Sequence, residues 1–443
     1  VRTRTWSLTL VALLGVCGVA GGQTRSAAER RLDDLAVVRD QYVQRTRAYT
    51  PAARNRALAL IAEARLRAAT LTKADLHLLL MEVAALADNA HDAVSFGTDQ
   101  ARPDWRMPYR VAWFPDALLI VRATGDASDL AGARIEAIDG VTPDALYQRL
   151  RRFAGGVDSQ RKIVLGTVLE SPPLLRAAGV PGADDRIVLR AVLRDGRRVE
   201  RTVIAVPGVS IPGGFGFERL LAPDPIDPSD ATWTTALART AAPIALREGN
   251  ALYRMEPLLD GSALYVQFRS KETSAGPDVD RFQQRVVAAI GLQHPTDVIL
   301  DLRFHTGGDL QRTLGFMRTL PERVTGKVYV LIGRYTFSSG IVSAAAVKKA
   351  GANVVIAGEP PGDRLRVWSE GGNTCLPDSG FCLHYTDGLF DLARGCNGES
   401  GCYGDQFDVN VGRLDPEIEA PLTASDYLVG RDRALETVLA RLR

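Results

Sequence analysis

The chain has 443 residues, 46% hydrophobic and 24% charged, with 54 Lys+Arg against 52 Asp+Glu. This composition excludes disorder, collagen-like repeats and coiled coil as the main class, and the length suggests two or three domains with ample core. Arg2 and Arg4 account for the formal charge of +2, so the rest of the chain is balanced and lacks the basic excess of a nucleic-acid binder.

In chain order, Arg2 and Arg4 precede the apolar run Leu8 to Ala20 and the small residues Gly21-Gly22. A basic start, a short apolar stretch and a small-residue cleavage site make residues 1–22 a signal peptide in this reading. Lipid anchoring at Cys17 is disfavoured because Val16 is large where a small residue is expected. No later segment is apolar for long enough to span a bilayer. The expectation is a periplasmic or secreted protein with no stable membrane span.

Residues 23–100 read as a helical region. Thr50-Pro51 offers an N-cap with proline at the first helical position, and Thr72 to Asp75 resembles a capping box. From Trp105 the texture changes to strand-like runs at 110–114, 118–122, 134–138, 187–193 and 199–206, with turns at Asp139-Gly140 and Asp195-Gly196. This marks a β-rich module at 101–206, followed by a Gly-, Pro- and Asp-rich linker at 207–228. In 229–443, strands at 263–268, 298–302, 327–332 and 354–357 alternate with helices at 279–291, 310–320 and 341–349. That order implies an α/β fold with a mainly parallel sheet, whose chemistry sits beyond the carboxyl ends of the strands.

Four cysteines follow the leader: Cys375, Cys382, Cys396 and Cys402, in an insertion at 373–404. In an oxidising compartment they read as two disulfides, and sequential pairing closes the shortest loops. Zinc is disfavoured, because no C-x-x-C pair is present and His384 is the single histidine nearby. No cofactor or metal is expected.

Two strand-to-helix junctions carry the candidate chemistry: Asp301 to Asp309, with Gly307-Gly308, and Tyr335 to Gly340, with Ser338-Ser339. A serine at a helix start can act as a nucleophile, and backbone N–H groups there and in a glycine turn can hold an oxyanion. Such serines are more often caps, and such glycines more often turns. A base is also required. The residues alone leave it open among His77 in an apolar helix, His91 at a helix end, His294 in a loop, His305 in the glycine turn and His384 in the cysteine-rich stretch.

Taken together, the pieces resemble the tail-specific, or carboxy-terminal processing, serine proteases and their tricorn-core-like relatives. Asp88-Asn89-Ala90-His91-Asp92 is similar to that family's "D-x-H-T" segment, and Leu130 to Gly140 to its PDZ-like "L-x-G-x-x-I-x-x-I-N/D-G" signature. Asp301-Leu302-Arg303 with Gly307-Gly308 resembles "D-L-R-x-N-x-G-G", and Thr336 to Gly340 the nucleophile turn. Gly358-Glu359-Pro360 and Leu414 to Ile418 resemble the segments that follow.

The resemblance implies a PDZ-like module, a ClpP/crotonase-like protease core and a polypeptide substrate. It implies Ser339 as nucleophile, preferred to Ser338 because Gly358-Glu359 then falls at the family's usual distance. The oxyanion would be held by Gly340 with Gly307 or Gly308. Where one branch of the family has a catalytic lysine, this chain has Arg364, which stays protonated and cannot serve as a base. With 6 Lys against 48 Arg, and none past Lys349, that branch is excluded. The tricorn-like branch uses a histidine, and His91 stands in its place. The residue supporting that histidine is a glutamate in the family. Asn410 falls nearest to it here, with Asp408 just before and Glu370 as another candidate. Two alternatives remain at this point: a catalytically inactive member that binds peptides or small ligands, and an esterase using the same Ser–His pair.

Overall fold

Hydroxyl caps open the first helices. Ser26 and Thr72 form capping boxes with Glu29 and Asp75 at the heads of Ala27–Val37 and Lys73–Ala85, and Thr50 caps Pro51–Leu66. Each cap satisfies N–H groups that a helix cannot pair internally, an effect of about 1 kcal/mol. The computed structural model describes residues 25–208, 217–225, 231–269, 278–403, 407 and 409–442. The expected leader with Cys17, parts of the expected linker and Asp408 lie outside them.

These helices bury Leu35, Ile61 and Leu76 in one core, together with Tyr42 from the turn after the first helix and Leu376, Phe381 and Leu383 from far down the chain. The distant residues belong to the hairpin of Gly372–Cys375 and Phe381–Tyr385, which pairs antiparallel with Val94–Phe96. Cys375 and Cys382 lie opposite each other in that hairpin and form a disulfide, and Cys396–Cys402 is the second. The sequential pairing is therefore the one observed. The hairpin thus contributes to the core of the N-terminal helices.

The middle of the chain forms an antiparallel sheet in the order Tyr109–Trp113, Leu118–Ala123, Arg134–Ile138, Arg186–Val192 and Arg198–Ile204. Trp105–Arg106 pairs with Val206–Pro207 and ties the two ends of this region together. Three helices, Pro143–Leu150, Asp158–Leu169 and Pro172–Ala177, lie within a region that reads as β-rich. Thr142-Pro143 carries the same cap-and-proline signal as Thr50-Pro51, and Thr142 does cap its helix. Described linker residues are packed as well: the buried Arg122 guanidinium donates to the carbonyls of Leu220, Ala222 and Asp224.

The last sheet runs Tyr253–Leu258, Ala263–Phe268, Asp297–Asp301, Val328–Ile332, Val354–Gly358 and Ile418–Glu419, with the first pair antiparallel and the rest parallel. Its apolar runs are buried on both faces, as covered parallel strands require. Helices Asp278–Gln293, Gln311–Thr319 and Ser339–Ala350 cover one side, and Arg433–Arg441 the other. The fold is mixed α/β, as the alternation implies. No helix among the described residues is long and apolar enough to cross a membrane.

Asp301-Leu302-Arg303 proves to be an anchor. The half-buried Arg303 guanidinium pairs with both Asp301 and Asp432, while Tyr265 Oη donates to Asp301 at 2.7 Å. This network fixes the strand end from which the glycine turn departs.

Candidate active site

Two turns leave adjacent strand ends and are stitched together. Thr336 Oγ1 accepts from Gly333 N–H at 2.9 Å and donates to Leu302 O at 2.8 Å, and Phe337 N–H donates to His305 O at 3.0 Å. The second turn ends at Ser338, with φ 53° and ψ −128°, immediately before the helix Ser339–Ala350. A non-glycine residue held in such a region costs of order 1–3 kcal/mol and persists where the surroundings impose it. Gly307, at φ 126°, makes this arrangement possible, since a Cβ there would lie 2.9 Å from Ser338 Cβ. At Gly340 a Cβ would fall 2.3 Å from His305 O, so the helix head sits directly on the first turn.

The two serines differ. Ser338 is half-buried, whereas Ser339 is 6% exposed and its Oγ has no hydrogen-bond partner among the described residues. The backbone donors differ too. Gly340 N–H donates to Phe337 O at 2.9 Å, and Gly307 N–H to His305 Nδ1 at 3.1 Å. Both are thus occupied, contrary to the expectation that they face an oxyanion. Ser339 N–H is the first of its helix and has no intrahelical acceptor.

His91 arrives from the N-terminal region on the turn after Lys73–Ala85. Its ring stacks on Phe337, with centroids 4.4 Å apart. Burial pushes the imidazole down to about 3, with His384 adding to the effect, and neither ring nitrogen has a hydrogen-bond partner among the described residues. Facing it, Asp363 Oδ2 lies 3.8 Å from His91 Nδ1. Burial pushes the Asp363 carboxyl up to about 6, against the N–H groups of Arg364 and Ala90. Asp363 Oδ2 also has no hydrogen-bond partner among the described residues. Two buried groups therefore confront each other, each with capacity to spare.

The turn carrying His91 is held on both sides. Asp92 is buried and accepts from Tyr42, Thr46, Asn89 and Thr386 at 2.5–3.0 Å. Asp88 receives Arg161 at 2.6 Å and Arg364 at 2.8 Å. Arg364 is thus an anchor for the histidine turn.

His91, Gly308, Ser338, Ser339 and Glu370 border one cavity of about 340 Å³. Glu370 is there, with its carbonyl 2.9 Å from His384 Nε2 and its side chain exposed. Asn410 is elsewhere: it pairs with Lys349 at 2.8 Å and borders a different cavity beside Arg394. His77 packs between Phe96 and Phe381, where burial lowers it to about 4. Asp363 is the member of the site that sequence reasoning missed. Among the described residues, no group of His, Cys, Asp or Glu is arranged to hold a metal ion.

No protein-family model and no curated protein sequence matches this chain. Solved structures do. Mature CPAF complexed with lactacystin superposes with a TM-score of 0.60 at 14% identity, covering 94% of this chain and 98% of that chain. Mature CPAF alone gives 0.57 at 14% identity, over 93% and 96%. The photosystem II D1 C-terminal processing protease is more distant, at 0.36 and 12% identity over 93% and 99%. The CPAF match spans nearly both whole chains and shows a shared fold.

Proposed function

We propose that this chain is a secreted or periplasmic serine peptidase acting on extended polypeptides or C-terminal tails, with Ser338 as nucleophile. The observation that carries this reading is the strained Ser338 at a helix head, bordering the same cavity as His91, which is backed by Asp363. Asp363 faces Nδ1 of His91, which leaves Nε2 to take the serine proton and then deliver it to the leaving amine. Burial keeps His91 neutral at ordinary pH but weakens it as a base, and an ionised Asp363 facing Nδ1 offsets that loss. Once His91 has taken the proton, ionised Asp363 stabilises the imidazolium. The N–H groups of Ser339 and Gly308 are the donors for the tetrahedral oxyanion. Ser339, the nucleophile implied by the family resemblance, then serves through its backbone. The sheet ending in Arg198–Ile204 offers an edge on which an extended substrate can add as a strand. The two disulfides fit an oxidising compartment outside the cytosol.

The test is cleavage of an unfolded protein by the purified chain, compared with Ser338→Ala. Cleavage of the polypeptide that is lost in the variant supports a peptidase. Hydrolysis confined to small esters points to the esterase alternative. No serine-dependent turnover of either substrate leaves a binding protein on the same fold.

A further inference from the structure

The cavity beside Ser338 has a wall that the proposed chemistry does not use. Leu310 comes from the head of Gln311–Thr319, and Ile341 and Val342 from the first turn of the serine helix. Val367 belongs to the strand Arg366–Ser369, while Phe390 and Leu392 come from the partner strand and its end. Five of these six are buried in the core, and Val367 is half-buried. Among the described residues, no lysine or arginine lines the cavity, and the acidic groups that do are Asp309 and Glu370. A volume of about 340 Å³ is at the low end of the ~300–1,000 Å³ typical of ligand pockets, enough for one large side chain.

We infer that this cavity is a specificity pocket for a large apolar side chain (Leu, Ile, Met or Phe) on a residue flanking the scissile bond, and that Asp309 and Glu370 disfavour acidic residues there. The inference rests on Ser338 as nucleophile and adds the substrate class. An apolar pocket rewards a filling side chain over alanine by about tenfold or more, because each added methylene gains contact and loses water. Val367 is the determinant to alter. It lines the cavity from a half-buried strand position, so a larger residue fills the pocket before it overpacks the core.

The experiment digests a synthetic peptide library with the full chain and maps the cuts by mass spectrometry. Ser338-dependent cuts should be enriched about tenfold for large apolar residues at one flanking position. The alignment of cuts reports whether that position is on the acyl or the leaving side. Val367→Trp should shift the preference at that position toward Ala and Gly by about tenfold, with Val367→Phe shifting it less in the same direction. Fluorophosphonate labelling of Ser338 should persist in both variants, which separates a changed pocket from a misfolded chain. Ser338-dependent cuts with no apolar enrichment at either flank would overturn the inference, as would a well-labelled Val367→Trp with an unchanged preference. Loss of both cutting and labelling in the unaltered chain would overturn the peptidase reading itself, and this inference with it.

Discussion

Asp92 follows His91 in the chain and Asp363 faces its ring; both are buried carboxylates, and they are built in opposite ways. Asp92 accepts four hydrogen bonds, from Tyr42, Thr46, Asn89 and Thr386, which joins three distant stretches of chain. Asp363 has the N–H groups of Arg364 and Ala90, and one oxygen that faces His91 with no hydrogen bond made. A buried carboxylate with all its donors holds the fold together. One left partly unsatisfied keeps its capacity for a proton or a charge that appears during the reaction. The contrast separates architecture from chemistry around one histidine turn.

The largest expected effect falls on Asp363. Asp363→Asn should lower kcat/KM by about 10³–10⁴, since asparagine cannot stabilise the imidazolium. It should also stabilise the fold at neutral pH. The carboxyl is raised to about 6 in the folded chain from an ordinary value of about 3.9, so the folded state holds the proton more tightly. Stability from this group is complete below about pH 4 and is lost as pH rises through about 6. Removing the ionisable group therefore leaves the variant about 2–3 kcal/mol more stable above that range, and unchanged below it. Urea unfolding at an acidic and a neutral pH measures this. A variant that is less stable at both would show Asp363 to be structural like Asp92. The same ionisation should make kcat/KM of the unaltered chain rise through about pH 6, with His91, held near 3, neutral throughout.

Asp92→Ala is the converse case. It orphans three hydroxyls and an amide in the interior, so unfolding free energy should fall by about 3 kcal/mol. A change below about 0.5 kcal/mol, the scale of ordinary surface substitutions, would dissolve the contrast between the two acids. Smaller still is the joint replacement Cys375→Ser with Cys382→Ser. It should cost about 2 kcal/mol, because the strands and their pairing with Val94–Phe96 remain. Fluorophosphonate labelling of Ser338 should survive it.

The alternation of strands and helices over 263–357, the caps at Thr50 and Thr72, and the pairing of the cysteines were legible in the sequence, because each follows from local chemistry or shortest-loop closure. The helices at 143–177 were obscured by their setting among strands, although Thr142-Pro143 announced the first. The site was legible as a set of turns and not as a register. Ser338 and Ser339 are the same residue type side by side, and what distinguishes them is a backbone angle of 53° imposed by packing on Gly307. Moving the reference serine back by one also moves the family's lysine position from Arg364 to Asp363. The carboxylate that faces His91 is thus the neighbour of Arg364. Asn410 was inferred from chain order, which does not report which loops converge, whereas Glu370 does border the cavity.

Ser338, strained at the helix head and bordering the same cavity as His91, is the proposed nucleophile. Fluorophosphonate labelling followed by peptide mapping tests this assignment most directly. The adduct should lie on Ser338, vanish in Ser338→Ala and persist in Ser339→Ala. An adduct on Ser339, or labelling that survives Ser338→Ala, would contradict it.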